Sequence, residues 1–197
     1  MCHRIWYTKF ALDRARWKFG LVEDIEPLAR GTINPDDLAV ILSGRGGSLV
    51  MRQARWGFES KEGGLVINAR SESIFAKPMF SSSALYRRCV VPAETFFEWD
   101  PQKNKVGFQQ PDGELMYLAG LWKPADGGRD PDDEARFVVI TAPANASVSD
   151  VHDRMPLLIG ESETKAWILD ADAARELLKK QLPDLTQIRE EEQLSLL

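Results

Sequence analysis

The sequence predicts an α+β fold, a largely antiparallel, barrel-like sheet with helices at its periphery. Three observations carry this. Runs rich in Val, Ile, Phe, Tyr and Trp recur along the chain, separated by polar or Gly-containing stretches, as strands joined by turns are. Helical composition is concentrated towards the C-terminal end. A length of 197 residues, 44% of them hydrophobic, suits one domain over residues 1–197 with a sizeable core.

Residues 3–8 read as a short strand. Residues 36–42 suit a short helix or a strand, and the glycines at 44, 46 and 47 mark a hairpin turn. Residues 48–58 and 65–69 read as strands on either side of a polar loop at 59–64. Residues 73–86 are less regular, with Pro78 expected to interrupt any long helix. Residues 88–99, 115–122 and 137–141 have strong strand character, and 126–134 form a charged loop. A short apolar strand is expected at 155–159. Residues 161–169 and 171–181 have helical composition, and Pro183 is a stop signal.

Charge is unevenly placed. The net charge is −5, yet residues 1–90 carry 14 Lys and Arg against 9 Asp and Glu, while residues 91–197 carry 11 against 21. Attraction to phosphate is local, screened beyond about 10 Å, so an acidic chain can still present a basic groove. The same pattern is equally that of solvated faces. No apolar stretch approaches the roughly 18 residues of a membrane span, and the N-terminus lacks the apolar run of a secretory signal. Two cysteines, Cys2 and Cys89, give no disulfide framework, which suits a reducing cytoplasm.

Chemistry concentrates in four places. If Met1 is removed, Cys2 carries a free α-amine beside its thiol. The reference pKa of that amine, about 7.7–8.0, leaves a useful neutral fraction near pH 7. Such a 1,2-aminothiol condenses with an aldehyde to a Schiff base, which the thiol closes to a thiazolidine. The second place is Asn68-Ala69-Arg70-Ser71-Glu72, an amide, a guanidinium and a carboxylate at the end of a strand. The third is Glu98, embedded in Phe96-Phe97-Glu98-Trp99. Burial there would favour the protonated carboxyl and a proton-transfer role, although an alternating strand would equally turn Glu98 to solvent. The fourth is His152 in Val151-His152-Asp153-Arg154-Met155-Pro156, one of only two histidines. Neither a metal-ligand spacing nor a phosphate-binding glycine loop is present, so no metal or cofactor is expected.

Taken together these segments resemble the SRAP family, the SOS response-associated peptidase proteins that process abasic sites. The resemblance rests on Met1-Cys2 with Arg4, on Asn34-Pro35, and on Arg55-Trp56-Gly57. It continues through Asn68 to Glu72, Arg87 to Pro92, Phe97-Glu98-Trp99, Leu118 to Trp122, Val139-Ile140-Thr141, and His152 to Pro156. Each segment is weak alone; their occurrence in this order is specific. The resemblance implies a basic groove for single-stranded DNA and a thiazolidine between Cys2 and the aldehyde of an abasic site, shielding the lesion. It implies that Asn68 holds the cysteine and sugar, that Glu98 transfers protons, and that His152 acts as acid/base or binds the deoxyribose oxygen and phosphate. Arg4, Arg70 and Arg154 would grip phosphates, and Trp99 and Thr141 would contact the strand. Self-removal of Met1 would account for the peptidase label, and the Schiff-base chemistry is lyase-like.

Departures from the family pattern are visible too. His3 stands where Gly is usual, residues 59–64 form a shortened loop, and residues 11–29 show little that aligns. The short loop predicts a weaker preference for double-strand/single-strand junctions. Two other readings stay open, an N-terminal nucleophile cysteine amidohydrolase and a non-catalytic single-strand DNA-binding module. Nothing in the sequence calls for an obligate oligomer, so a monomer is expected, with any replication-fork partners unspecified.

Overall fold

Strand-forming runs and turn-forming glycines divide the chain into fifteen strands and four α-helices among the described residues, which in the computed structural model are 2–21, 31–124 and 135–189. The order begins β1 (Arg4–Tyr7), α1 (Lys9–Lys18), β2 (Gly31–Ile33), β3 (Leu38–Arg45), β4 (Ser48–Trp56), β5 (Phe58–Glu59), β6 (Leu65–Val66) and β7 (Asn68–Arg70). A 3-10 turn (Ser71–Ser73) leads to α2 (Pro78–Tyr86), then β8 (Arg88–Ala93), β9 (Thr95–Trp99), β10 (Lys105–Gln109), β11 (Met116–Pro124) and β12 (Ala135–Pro143). There follow β13 (Arg154–Pro156), β14 (Leu158–Ile159), α3 (Thr164–Leu169), α4 (Ala171–Leu177) and β15 (Thr186–Arg189).

The first register is set by glycine. Gly46 and Gly47 both have positive φ, 57° and 80°, and Arg45 stands opposite Ser48, so β3 and β4 are joined by a two-residue hairpin turn. Residues with a Cβ adopt that pair of conformations poorly, and its twist matches that of the flanking strands. From this hairpin the pairing runs β4–β3–β8–β11–β12, and β12 returns to β4, closing a five-stranded ring. All its contacts are antiparallel except β4–β12. Ring closure removes the free edges of these strands. The fold is thus α+β, largely antiparallel and barrel-like, as the sequence predicts.

β12 is the hub. Its Ala135, Arg136 and Phe137 pair with β4 on one edge and with β11 on the other. Further along, the first edge passes to β7 (Val139↔Asn68, Thr141↔Arg70) and the second to β13 (Thr141↔Pro156, Pro143↔Arg154). The chain therefore leaves β12 at Trp56 and rejoins the same edge at Asn68. The excursion between them holds the small β5–β6 hairpin and is pinned at its base, where Trp56 Nε1 donates to the Ile67 carbonyl at 2.9 Å. The core fills the ring and continues outside it. Cys89-Val90-Val91 and Val138-Val139-Ile140 are buried without alternation, so both faces of these strands are covered.

A second sheet, ordered β15–β10–β9–β1–β2, lies beside the ring. It begins where β8 ends. The single run expected at 88–99 is in fact two strands in different sheets, broken at Glu94, whose N–H donates to the Trp6 carbonyl and whose carboxylate accepts from Thr8 N at 2.6 Å. Phe96 and Phe108 stack at 5.0 Å inside this sheet. The run at 155–159 is likewise split, β13 pairing with β12 and β14 with β11.

Other local expectations are corrected. Pro78 does not interrupt a helix but begins α2, at the first turn where its missing N–H has no intrahelical partner to lose. Of residues 36–42, Asp36 and Asp37 lie in a turn and the rest is strand β3, and the helix expected at 171–181 ends as regular α-helix at Leu177. α1, β2, β10 and β15 were not anticipated. The charged loop expected at 126–134 lies outside the described residues. No described helix is long and apolar enough to cross a membrane.

Candidate functional site

β1 and β9 run antiparallel with Arg4 opposite Phe97. This brings Cys2, just before β1, into the neighbourhood of Glu98 and Trp99 at the end of β9. Burial of Cys2 is complete, and its Sγ lies 3.7 Å from the Arg4 carbonyl. Burial first, and the negative charge of Glu98 second, push the Cys2 thiol far above its ordinary pKa. The thiol is therefore protonated at rest, and a reaction there must start elsewhere than from a standing thiolate.

Glu98 is itself 1% exposed, so the solvent-facing reading of the aromatic run does not hold. Burial raises its carboxyl to about 7, against an opposing pull from the positive amino terminus. A carboxyl balanced near neutrality can both give and take a proton at working pH.

Asn68 enters from the other sheet. Pairing of β7 with β12 fixes it opposite Val139, and its Nδ2 donates to the Cys2 carbonyl at 2.9 Å. Its Oδ1 is buried and accepts nothing among the described residues, and the same is true of the Thr141 hydroxyl two positions along β12. Buried polar atoms of this kind are rare in folded proteins and mark places where a ligand or water completes the bonding.

His152 follows the turn before β13. Its Nδ1 accepts from the Arg154 backbone N–H at 2.9 Å, and Asp153 Oδ1 lies at the same distance. The ring's pKa is lowered, by burial first and then by the positive amino terminus, with His3 contributing in the same sense. His152, His3, Asp153 and Glu98 thus share one electrostatic neighbourhood.

The cations differ in their engagement. Arg4 stacks over the Trp99 ring at 5.2 Å, and its Nε donates to Asn34 Oδ1 at 3.2 Å. Arg70 is exposed, directly opposite Thr141. Arg154 is only 9% exposed, and its guanidinium makes a two-point pair with Glu72 at 2.5 and 2.9 Å while donating to the Thr141 carbonyl at 2.5 Å. The pair holds Glu72 well below the usual carboxylate range, at about 2. Asn34 and Glu72 had no assigned role in the sequence reading, although both stand in the segments that carry the resemblance. A carboxylate four positions after Asn68 was the available signal for the second.

Fold and site together define an α+β protein centred on a buried cysteine and a buried carboxylate, the cysteine held by an amide from the other sheet. The description SOS response associated peptidase (SRAP) matches residues 1–195, and the chain belongs to that family. Abasic site processing protein YoqW of Bacillus subtilis (strain 168) is 31% identical over 135 residues, which are 63% of this chain and 58% of that protein. Abasic site processing protein YedK of Escherichia coli (strain K12) is 27% identical over 162 residues, 78% of this chain and 70% of that one. The match thus spans less than two thirds of the Bacillus relative's length. Among solved structures, a protein from Bordetella bronchiseptica superposes with a TM-score of 0.78 at 19% identity, covering 95% of this chain and 99% of that one. A phage-related protein from the same organism gives 0.77 at 21% identity, covering 95% and 93%.

Proposed function

We infer that this chain captures abasic sites in single-stranded DNA covalently through Cys2, after removal of Met1. The freed α-amine attacks the C1′ aldehyde of the ring-opened sugar, expelling water and leaving an imine. The thiol then adds across the C=N bond, its proton passing to nitrogen, and a thiazolidine results. Glu98, with a carboxyl near 7, can relay protons in ring opening and water loss. Asn68 holds the Cys2 carbonyl and keeps its Oδ1 for the sugar.

The observation that carries this reading is the burial of Cys2 and Glu98 in one neighbourhood of the second sheet, with Asn68 reaching Cys2 from β7 on the edge of β12. Names of the relatives, abasic site processing proteins, support the substrate class. Arg4 and Arg70 would lie along the phosphates, and the Trp99 ring would give a sequence-tolerant stacking face. Arg154, committed to Glu72, would act chiefly as a clamp. The protein would work as a single-domain monomer in the cytoplasm, and its peptidase and lyase character would reduce to loss of Met1 and to Schiff-base chemistry.

The test is incubation with a single-stranded oligonucleotide bearing one abasic site, followed by a denaturing gel and intact mass. A heat-stable adduct mapped to Cys2, absent from Cys2→Ala and from borohydride-reduced DNA, is expected. No adduct despite complete loss of Met1 overturns the reading.

A further inference from the structure

One donor and one acceptor compete for a single nitrogen of His152. The Arg154 N–H and Asp153 Oδ1 both lie 2.9 Å from Nδ1. A neutral ring with its proton on Nε2 accepts from Arg154 and gains nothing from Asp153; a ring with its proton on Nδ1 does the reverse. Freedom of movement decides between them. The Asp153 side chain is 85% exposed and can turn into water. The Arg154 N–H cannot turn. Ala144 N donates to the Asp153 carbonyl, and Arg154 stands opposite Pro143, so the alternation of the antiparallel ladder points the Arg154 N–H away from β12. No strand lies on that side among those described to take it, and the imidazole does.

What holds Arg154 in place is its other end. Its guanidinium is fixed by both oxygens of Glu72 and by the Thr141 carbonyl, three charge-assisted bonds on a side chain almost wholly buried. Glu72 sits on the 3-10 turn that follows Arg70, so the clamp ties β7, β12 and β13 together beside the site.

We propose that Glu72 is a positioning residue which, through Arg154, holds the neighbouring His152 in the tautomer that carries its proton on Nε2. This rests on the proposed capture reaction for its purpose, though not for its geometry. An imidazole so held offers a hydrogen bond to a sugar or phosphate oxygen. It does not serve as a base through Nδ1, whose lone pair is taken. The other charges that face the ring, Asp153, His3 and the amino terminus, act on its protonation rather than on the fixed N–H.

The tautomer can be read directly in the intact protein labelled with 15N-histidine, because only two histidines are present and His3→Gln assigns them. Two-bond proton–nitrogen correlations at pH 8 are expected to show His152 with its proton on Nε2. In Glu72→Gln the two ring-nitrogen shifts should converge, as a mixed population requires, while Glu72→Asp, which keeps the charge, retains the wild-type pattern. The single-turnover crosslinking rate should fall in Glu72→Gln with affinity for an undamaged oligonucleotide unchanged. A wild-type ring protonated on Nδ1 overturns the proposal, and so does a Glu72→Gln spectrum identical to wild type in a folded protein. Absence of any adduct from the wild type would overturn the capture reaction alone and leave the tautomer result standing.

Discussion

The side-chain amide of Asn68 donates to the backbone carbonyl of Cys2 at 2.9 Å, and the two residues belong to different sheets. Cys2 leads into β1 of the second sheet; Asn68 begins β7, on the wall of the ring. One hydrogen bond therefore sets the cysteine's position against a strand that it does not pair with. Replacing Asn68 with Ala removes the donor and leaves a buried carbonyl without that partner, a loss of about 1–3 kcal/mol. We expect the denaturant midpoint to fall accordingly and capture to slow, with the thiol still present by titration under denaturing conditions. An unchanged capture rate would remove Asn68 from the proposed machinery.

Glu98 should make stability depend on pH in an unusual sense. Its folded carboxyl lies at about 7, above the ordinary 4.5. A raised pKa contributes stability below the unfolded value that is lost as pH rises through the folded one. The fold is therefore expected to weaken between about pH 4.5 and 7, by up to about 3 kcal/mol from this group. Glu98→Gln should flatten that slope and be more stable than wild type at pH 8, while losing capture. Urea titrations at pH 5 and pH 8 measure both.

Glu72 acts in the opposite sense. Its pKa is depressed to about 2 by Arg154, so its contribution is present above the ordinary 4.5 and lost as pH falls towards 2. Acid unfolding of Glu72→Gln should lack that component. Because the Glu72 side chain is half exposed, the effect should shrink in high salt, which acid titrations with and without added salt would read.

Arg4, stacked on Trp99, is the cation whose loss should be felt in binding rather than in folding. Arg4→Ala is expected to reduce the slope of log affinity against log salt for a single strand by about 0.7, the effect of one phosphate contact. A slope equal to wild type would place Arg4 off the DNA path.

Gly120, in β11, tests the ring itself. A Cβ there would lie 2.9 Å from both Cys89 Sγ and the Val138 carbonyl oxygen, and the second cannot move aside without parting β11 from β12. Gly120→Ala should cost about 1–3 kcal/mol, seen as a lowered thermal midpoint.

Much of this was legible in the sequence for physical reasons. Strands such as 115–122 and 137–141 announce themselves because apolar residues, aromatic in the first and largely β-branched in the second, fill both faces of a ring wall. The glycines at 46 and 47 announce their hairpin through the conformations that only they adopt readily. Cys2, Asn68, Glu98 and His152 were nameable because each is a reactive or bonding group at a strand end. α1 was not legible, because its large apolar residues face outward. Phe10 and Trp17 are exposed, while Ala11, Leu12 and Ala15 make the contact, so the usual stripe is inverted. β10 and β15 are short and carry little apolar signal (KVGFQ and TQIR); β10 becomes a strand because β9 offers an edge to pair with, and β15 because β10 then offers the next. The Glu72–Arg154 pair spans 82 residues, a distance that no local pattern encodes.

The departure of the chain from β12 at Trp56 and its return to the same edge at Asn68 has a consequence for what can be added to this protein. The two ends of the excursion are anchored independently, by β4 and by β7, and Trp56 stitches them together at the base. Residues 59–64 therefore hang from a docking ledge whose spacing they do not determine. A longer segment, a peptide tag or a fluorescent reporter grafted there would inherit a fixed place on the ring wall without shifting the strand that carries Asn68, which makes this ledge the natural socket for additions to the fold.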